Sequence, residues 1–190
     1  MSVDDLERVE VRSETELWDL MNGRAEDGAS LLLVTWKAKR PDRYVSRQQV
    51  LDALIAFGWV DGRRYALDDD RTMQLISPRQ QQIWADSYKQ RAERLVEDGR
   101  MRPSGQAAID RSKELGLWDA LDHVDALEEP DDLRAALEAR GATAWWSTAA
   151  PSYRRNVLRW IALAKRAPTR EKRIETVASH AARGEKVPNY

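Results

Sequence analysis

The stretch Leu31-Leu32-Leu33-Val34-Thr35-Trp36 constrains the fold more than any other, because its apolar residues do not alternate. A strand with one wet face would show period-two patterning, so this one must be covered on both faces, which calls for a sheet with layers packed on it. The fully apolar part, Leu31 to Val34, is far short of the ~20 residues that a membrane helix needs. The polar, acidic N-terminus lacks the apolar core of a signal peptide. There are 0 cysteines, so disulfides, thiolate zinc sites and cysteine nucleophiles are excluded together. The expectation is a cytoplasmic protein with no transmembrane segment.

Helical signals flank this strand. Ser13 with Glu16 forms a capping-box pattern, and Leu17, Leu20 and Met21 follow at helical spacing, giving a helix to Arg24 that Glu26-Asp27-Gly28 breaks. Ser46 with Gln49 repeats the box ahead of Val50, Leu51, Leu54 and Phe57. Next, Trp59–Leu67 and Thr72–Ser77 read as a hairpin around Asp68-Asp69-Asp70-Arg71. Strict alternation places Trp59, Asp61, Arg63 and Tyr65 on one face of the first strand and Val60, Arg64 and Ala66 on the other. Pro78 ends the second strand. Trp84, Ala85, Tyr88, Ala92, Leu95 and Val96 then line one side of an amphipathic helix that stops at Gly99.

Arg102-Pro103-Ser104-Gly105 marks the expected boundary, with an α/β domain over 1–102 and an all-helical module over 103–190. The fold class is α+β, a small mixed or antiparallel sheet of about three strands with flanking helices ahead of that module. Helices are expected over about Gln106–Leu115, Pro130–Ala139, Thr143–Thr148, Pro151–Arg166 and Thr169–Arg183. Charge is uneven: 4 basic against 10 acidic residues over Pro103–Ala150, then 10 basic against 3 acidic over Pro151–Tyr190. At 100° per residue, Arg154, Arg155, Arg159, Lys165 and Arg166 fall within about 140° of one another, opposite Tyr153, Val157, Trp160, Ile161 and Ala164. Such a stripe could meet phosphates of nucleic acid or anionic lipid. The acidic stretch before it favours docking within the chain. With a net charge of −1 and no nucleic-acid motif, nucleic acid is a disfavoured partner.

No nucleotide-binding, metalloprotease or serine-hydrolase motif is present. His123 and His180 stand on separate segments, so neither metal nor triad chemistry is indicated, and no cofactor is implied. Two constellations remain. In Gly58-Trp59-Val60-Asp61-Gly62-Arg63-Arg64, paired glycines permit close backbone approach while an aromatic, a carboxylate and a guanidinium could grip a small polar ligand; the plainer alternative is a packed Trp beside a surface ion pair. In Ser77-Pro78-Arg79, followed by Trp84 and Tyr88, Arg79 would stand near a helix start and meet an anion, or else the turn is structural and both rings are buried. The candidate ligand-binding set is therefore Lys37, Trp59, Asp61, Arg63, Arg79, Trp84 and Tyr88, with Tyr44, like Lys37, expected near the Asp61–Arg79 centre. The candidate basic surface is Arg154, Arg155, Arg159 and Arg166.

Phe57-Gly58-Trp59-Val60-Asp61-Gly62, Ser77-Pro78-Arg79, Trp84 and Arg91 through Met101 resemble the YdeI/OmpD-associated family, whose members are often labelled bacteriocin-protection proteins. Pro130-Asp131-Asp132-Leu133, Arg155 through Trp160-Ile161, Ala164-Lys165 and Thr169 through Ile174 resemble its C-terminal module. The resemblance runs roughly from Leu17 to Val187. Ala56 stands where the family often has Cys, and Trp84-Ala85-Asp86-Ser87-Tyr88 replaces a W-S-x-x-N pattern. The resemblance implies a bacterial cytoplasmic stress protein concerned with bacteriocin or antimicrobial-peptide tolerance, and no known reaction. A protein that binds a small anionic ligand or a protein partner, rather than an enzyme, is the favoured reading; a small-molecule enzyme or binder and a phosphate-surface binder are the alternatives.

Overall fold

The computed structural model describes residues 3–24 and 28–188. Glu26 and Asp27, expected to help break the first helix, lie outside them. The chain divides into two compact units, Met1–Asp119 and Ala120–Tyr190.

In the first unit, β1 (Arg8–Glu10), α1 (Glu14–Gly23), β2 (Leu31–Trp36), α2 (Arg47–Ala56), β3 (Trp59–Ala66), β4 (Arg71–Pro78), α3 (Asp86–Glu97) and α4 (Pro103–Glu114) follow in order. The four strands form one mixed sheet in the order β1-β2-β4-β3. β1 runs parallel to β2, whereas β2–β4 and β3–β4 are antiparallel. The sequence reading of about three strands omits β1, which is only 3 residues long and too short to display a period. Both serines cap their helices, but only the second box is reciprocal: Ser13 Oγ accepts from Glu16 N at 3.1 Å while the Glu16 carboxylate turns to Arg12 N at 2.8 Å, whereas Ser46 and Gln49 cap each other's backbone N–H groups.

β2 is covered on both faces. Leu31 and Leu33 enter the main core with Leu17, Met21, Leu54, Trp59, Ile76 and Trp84, all at most 1% exposed. Each such aliphatic side chain contributes roughly 1.5–3 kcal/mol by leaving water. Leu32 and Val34 meet Met73 on the other face, covered by Val3, Leu6, Tyr65 and Leu75. α3 is held against α2 by Asp52, which pairs with Arg91 and with Arg94 at 2.8 Å.

α4 belongs to this first unit, although the expected boundary placed it in the helical module. Pro103 is a first-turn proline, not part of a linker. Arg102 N donates to Ala56 O at 3.0 Å, and Gly105 lies so close to α2 that a Cβ there would fall 2.2 Å from the same oxygen. Gly58, at φ +75°, faces Ser104 O across the same contact, where a Cβ would meet it at 2.7 Å. Close backbone approach is why glycine stands at both positions.

The second unit is helical: α5 (Asp122–Asp125), α6 (Asp131–Ala139), α7 (Thr143–Thr148), α8 (Pro151–Ala162) and α9 (Ala167–Ala182). Leu133, Leu137, Trp146, Tyr153, Val157, Ile161, Ile174, Val177 and Ala178 are buried. Val187 N donates to the Tyr153 hydroxyl at 3.0 Å, closing the unit over its end. No helix among the described residues is long and apolar enough to cross a membrane.

Candidate functional site

The polar face of the sheet departs from strict alternation at Gly62. Asp61 pairs with Ile76 and Arg64 with Gln74, so β3 spends two residues, Gly62 and Arg63, opposite the single Leu75. This is a β-bulge, and it shifts every later residue by one face. A Cβ on Gly62 would lie 3.2 Å from the Leu75 side chain, so glycine eases the crowding. Because paired residues share a face, Asp61 and Arg64 stand together with Ile76 and Gln74. Arg63 is exposed and lies over the Tyr65 ring at 5.3 Å. Arg63 is therefore separated from Asp61, and Arg64 takes the place that alternation gave it.

A chain of hydrogen bonds follows from this register. Arg64 donates to Gln74 Oε1 at 2.9 Å. Gln74, 8% exposed, donates through Nε2 to Asp61 Oδ2 at 3.1 Å. The Tyr88 hydroxyl donates to the other oxygen, Asp61 Oδ1. Both carboxylate oxygens are thus engaged by neutral donors. Burial first, and then the hydrogen bond to Asp61, push Tyr88 up to about 12.

Arg79 does not sit at a helix start. Its N–H donates to Gly58 O at 2.8 Å, and α3 begins only at Asp86, so Trp84 precedes that helix and only Tyr88 lies on it. The segment between turns Trp84 into the core, where its Nε1 donates to Ser112 Oγ at 2.8 Å and its ring lies 4.8 Å from Trp118. Arg79 is 4% exposed and stacks over Trp84 at 4.0 Å, with Tyr88 at 5.9 Å. It donates to Gln82 O at 3.2 Å, while its buried Nε has no partner. Burial draws Arg79 down to about 10, with Tyr88 and Asp61 pulling the other way; it stays cationic at neutral pH. Trp59 and Trp84 are each 1% exposed, so both rings pack in the dry core and present no open aromatic surface.

Lys37 stands apart from this cluster. Its N–H bonds Asp70 O, and its ammonium donates to the carbonyls of Asp68 and Asp69 at 2.8 and 3.1 Å, beside the hairpin turn. Arg79 follows the opposite end of β4, about 25 Å of extended strand away. Tyr44 lines a groove with Lys37 that includes neither Asp61 nor Arg79.

The basic stripe divides. α8 ends at Ala162, and Arg166 is the exposed residue preceding α9, so Lys165 and Arg166 leave the helix that carries the others. Arg154 pairs with Glu129 at 2.7 Å, and Arg155 and Arg159 lie 3.6 and 3.4 Å from Asp125. The acidic stretch thus engages three of the four arginines.

In chemical terms the first-unit cluster combines a hydrogen-bonded carboxylate, a phenol and a buried guanidinium. The carboxylate accepts one hydrogen bond at each oxygen and keeps further lone pairs, while a phenol near 12 is poorly matched to proton transfer at neutral pH. Among the described residues, no group of three or more His, Asp or Glu is placed to hold a metal.

Residues 9–108 match the family model described as Domain of unknown function (DUF8412). The chain belongs to that family. The DUF8412 segment spans the sheet except Arg8, the Gly62 bulge, Arg79 and the Gly58–Gly105 contact. Residues 126–184 match a second family model, described as Bacteriocin-protection, YdeI or OmpD-Associated, and hold the paired arginines of α8. The motifs from Phe57 to Met101 that resembled the same family fall in the DUF8412 segment instead. Neither the curated proteins nor the solved structures yielded a match.

Proposed function

We propose that this is a bacterial cytoplasmic protein that contributes to tolerance of bacteriocins, antimicrobial peptides or related envelope stress, acting by binding a small anionic ligand or a protein partner. The observation that carries the reading is the bacteriocin-protection description matched by residues 126–184. The first unit gives binding some support over turnover: two hydrogen bonds hold Asp61 in place, and Tyr88, near 12, is a poor acid or base at neutral pH. Asp61 and Tyr88, both part-exposed, would form the polar edge of the binding surface, with the buried Arg79, Trp59 and Trp84 as its rigid backing.

The test is genetic and direct. Deleting the gene in its host should increase sensitivity to a panel of bacteriocins and cationic peptides several-fold, and the wild-type chain should restore tolerance. Unchanged sensitivity across the panel would remove the proposal. A small-molecule enzyme is the second reading, resting on the proximity of Asp61, Tyr88 and Arg79; turnover of a metabolite panel that is lost in Asp61→Asn would establish it instead. Binding of phosphate surfaces through α8 has less support, because Arg154, Arg155 and Arg159 already face carboxylates.

A further inference from the structure

We propose that the groove between the Lys37–Tyr44 loop, the start of α2 and the sheet is a binding site for a small phosphate monoester. The groove is lined by Lys37, Tyr44, Arg47 and Arg64, with Thr35 and Thr72 among the remaining lining residues, and encloses about 210 Å³. That is room for roughly seven waters, and it falls below the roughly 300 Å³ at which sites for drug-sized ligands begin. One phosphate with a compact body fits such a space, whereas a polymer does not.

Charge distinguishes this groove from the rest of the unit. Neighbouring cations are already satisfied by carboxylates: Lys39 and Arg40 pair with Asp70 at 2.7 and 3.4 Å, Arg43 with Asp42 at 3.1 Å, and Arg71 with Glu10 and Asp68, each at 2.7 Å. The three cations lining the groove are not. Lys37 meets only the carbonyls of Asp68 and Asp69, Arg64 meets the neutral amide of Gln74, and Arg47 forms no ion pair among the described residues. No Asp or Glu lines the groove. Three cations without carboxylate partners around one concavity suit a dianion such as a phosphate monoester, to which a guanidinium can donate two parallel hydrogen bonds.

Neutral donors and an apolar rim complete the site. Thr35, 9% exposed, and Thr72 bring their hydroxyls within 3.4 Å of each other. The amino end of α2 opens at Arg47 and adds the positive end of its dipole. The Tyr44 ring is 43% exposed at the rim, where it can cover the body of a ligand. The β-bulge is what makes the set possible, since it turns Arg64 instead of Arg63 to this side of the sheet.

Nuclear magnetic resonance titration of the full chain with phenyl phosphate, inorganic phosphate and phenol tests the site. Phenyl phosphate should produce saturable amide shifts confined to Thr35–Lys37, Tyr44–Val50, Arg64 and Thr72, and phenol none. Inorganic phosphate binding as tightly as phenyl phosphate would identify free phosphate as the ligand of the same site; weaker binding would assign an organic phosphate. Arg47 and Arg64 are exposed, so Arg47→Gln/Arg64→Gln should fold normally and lose at least about tenfold in affinity, while Lys39→Gln, which removes a paired cation, should stay within about twofold. Absence of saturation at about 10 mM, where only binding weaker than about 3 kcal/mol would escape, overturns the proposal, as does a double variant that binds like wild type. Host tolerance to bacteriocins is a separate readout, so this site and the protection role can fail independently.

Discussion

Replacing Gly105 by Ala sets two effects of opposite sign against each other. In a helix, Ala is favoured over Gly by up to about 1 kcal/mol. Here the added Cβ would lie 2.2 Å from Ala56 O and 2.6 Å from Met101 Sδ. The methionine side chain can swing away, but the carbonyl is part of α2 and already accepts from Arg102 N at 3.0 Å. Relief therefore requires α4 to move by about 1 Å within a close-packed core, at roughly 3 kcal/mol. The net expectation is a loss of about 2 kcal/mol, or a fall in Tm of about 8 °C for a unit of this size. Gly23 is the matched control: no atom lies within 4 Å of a Cβ there, so Gly23→Ala should be neutral or stabilising. Native-state hydrogen exchange at the β2 amides of the full chain gives the free energy for this unit directly. If Gly105→Ala is as stable as wild type, the α2–α4 contact and the placement of α4 in the first unit are both wrong.

Tyr88→Phe should cost about 1 kcal/mol. Because Tyr88 ionises near 12 in the folded chain against about 10 unfolded, its contribution is fully present below pH 10 and is lost as pH rises through 12. Difference absorbance at about 295 nm between wild type and Tyr88→Phe checks this, and a Tyr88 phenolate half-formed at pH 10 would refute it. Glu129 accepts from both Arg154 and Trp146 Nε1, so Glu129→Gln should lower stability by roughly 2 kcal/mol; an unshifted urea midpoint would argue against that contact. In co-sedimentation, anionic vesicles and duplex DNA should leave the chain in the supernatant at about 0.15 M salt, and retention that weakens steeply with salt would restore α8 as a phosphate surface.

Much of the framework was legible because local chemistry decided it. Ser13 and Ser46 announced their helices through side chains that reach only three residues on, and the unbroken apolar run of β2 required cover that both faces receive. What failed depended on pairing. Nothing in Gly62-Arg63-Arg64 records that Leu75 faces two residues, so alternation chose the wrong arginine. Pro103-Ser104-Gly105 has the composition of a linker, and only its contact with Ala56 reveals a glycine required by packing. Arg79 was expected at a helix start because Pro78 ends a strand; the residues between Gln80 and Ala85 carry no signal for the irregular path they take. Arg47 went unnoticed since an exposed arginine after an N-cap is ordinary, and it acquires interest only beside two other unneutralised cations.

The surplus residue in β3 also gives that strand some slack. Before the kink, Trp59 and Asp61 look toward the core layer; beyond it, Arg64 and Ala66 do. Dropping Gly62 would leave one residue opposite Leu75, and the ladder would become regular without any later side chain changing layers. A chain shortened by that glycine, or equally by Arg63, keeps its register at both ends, whereas one shortened by a residue beyond the kink must invert everything downstream.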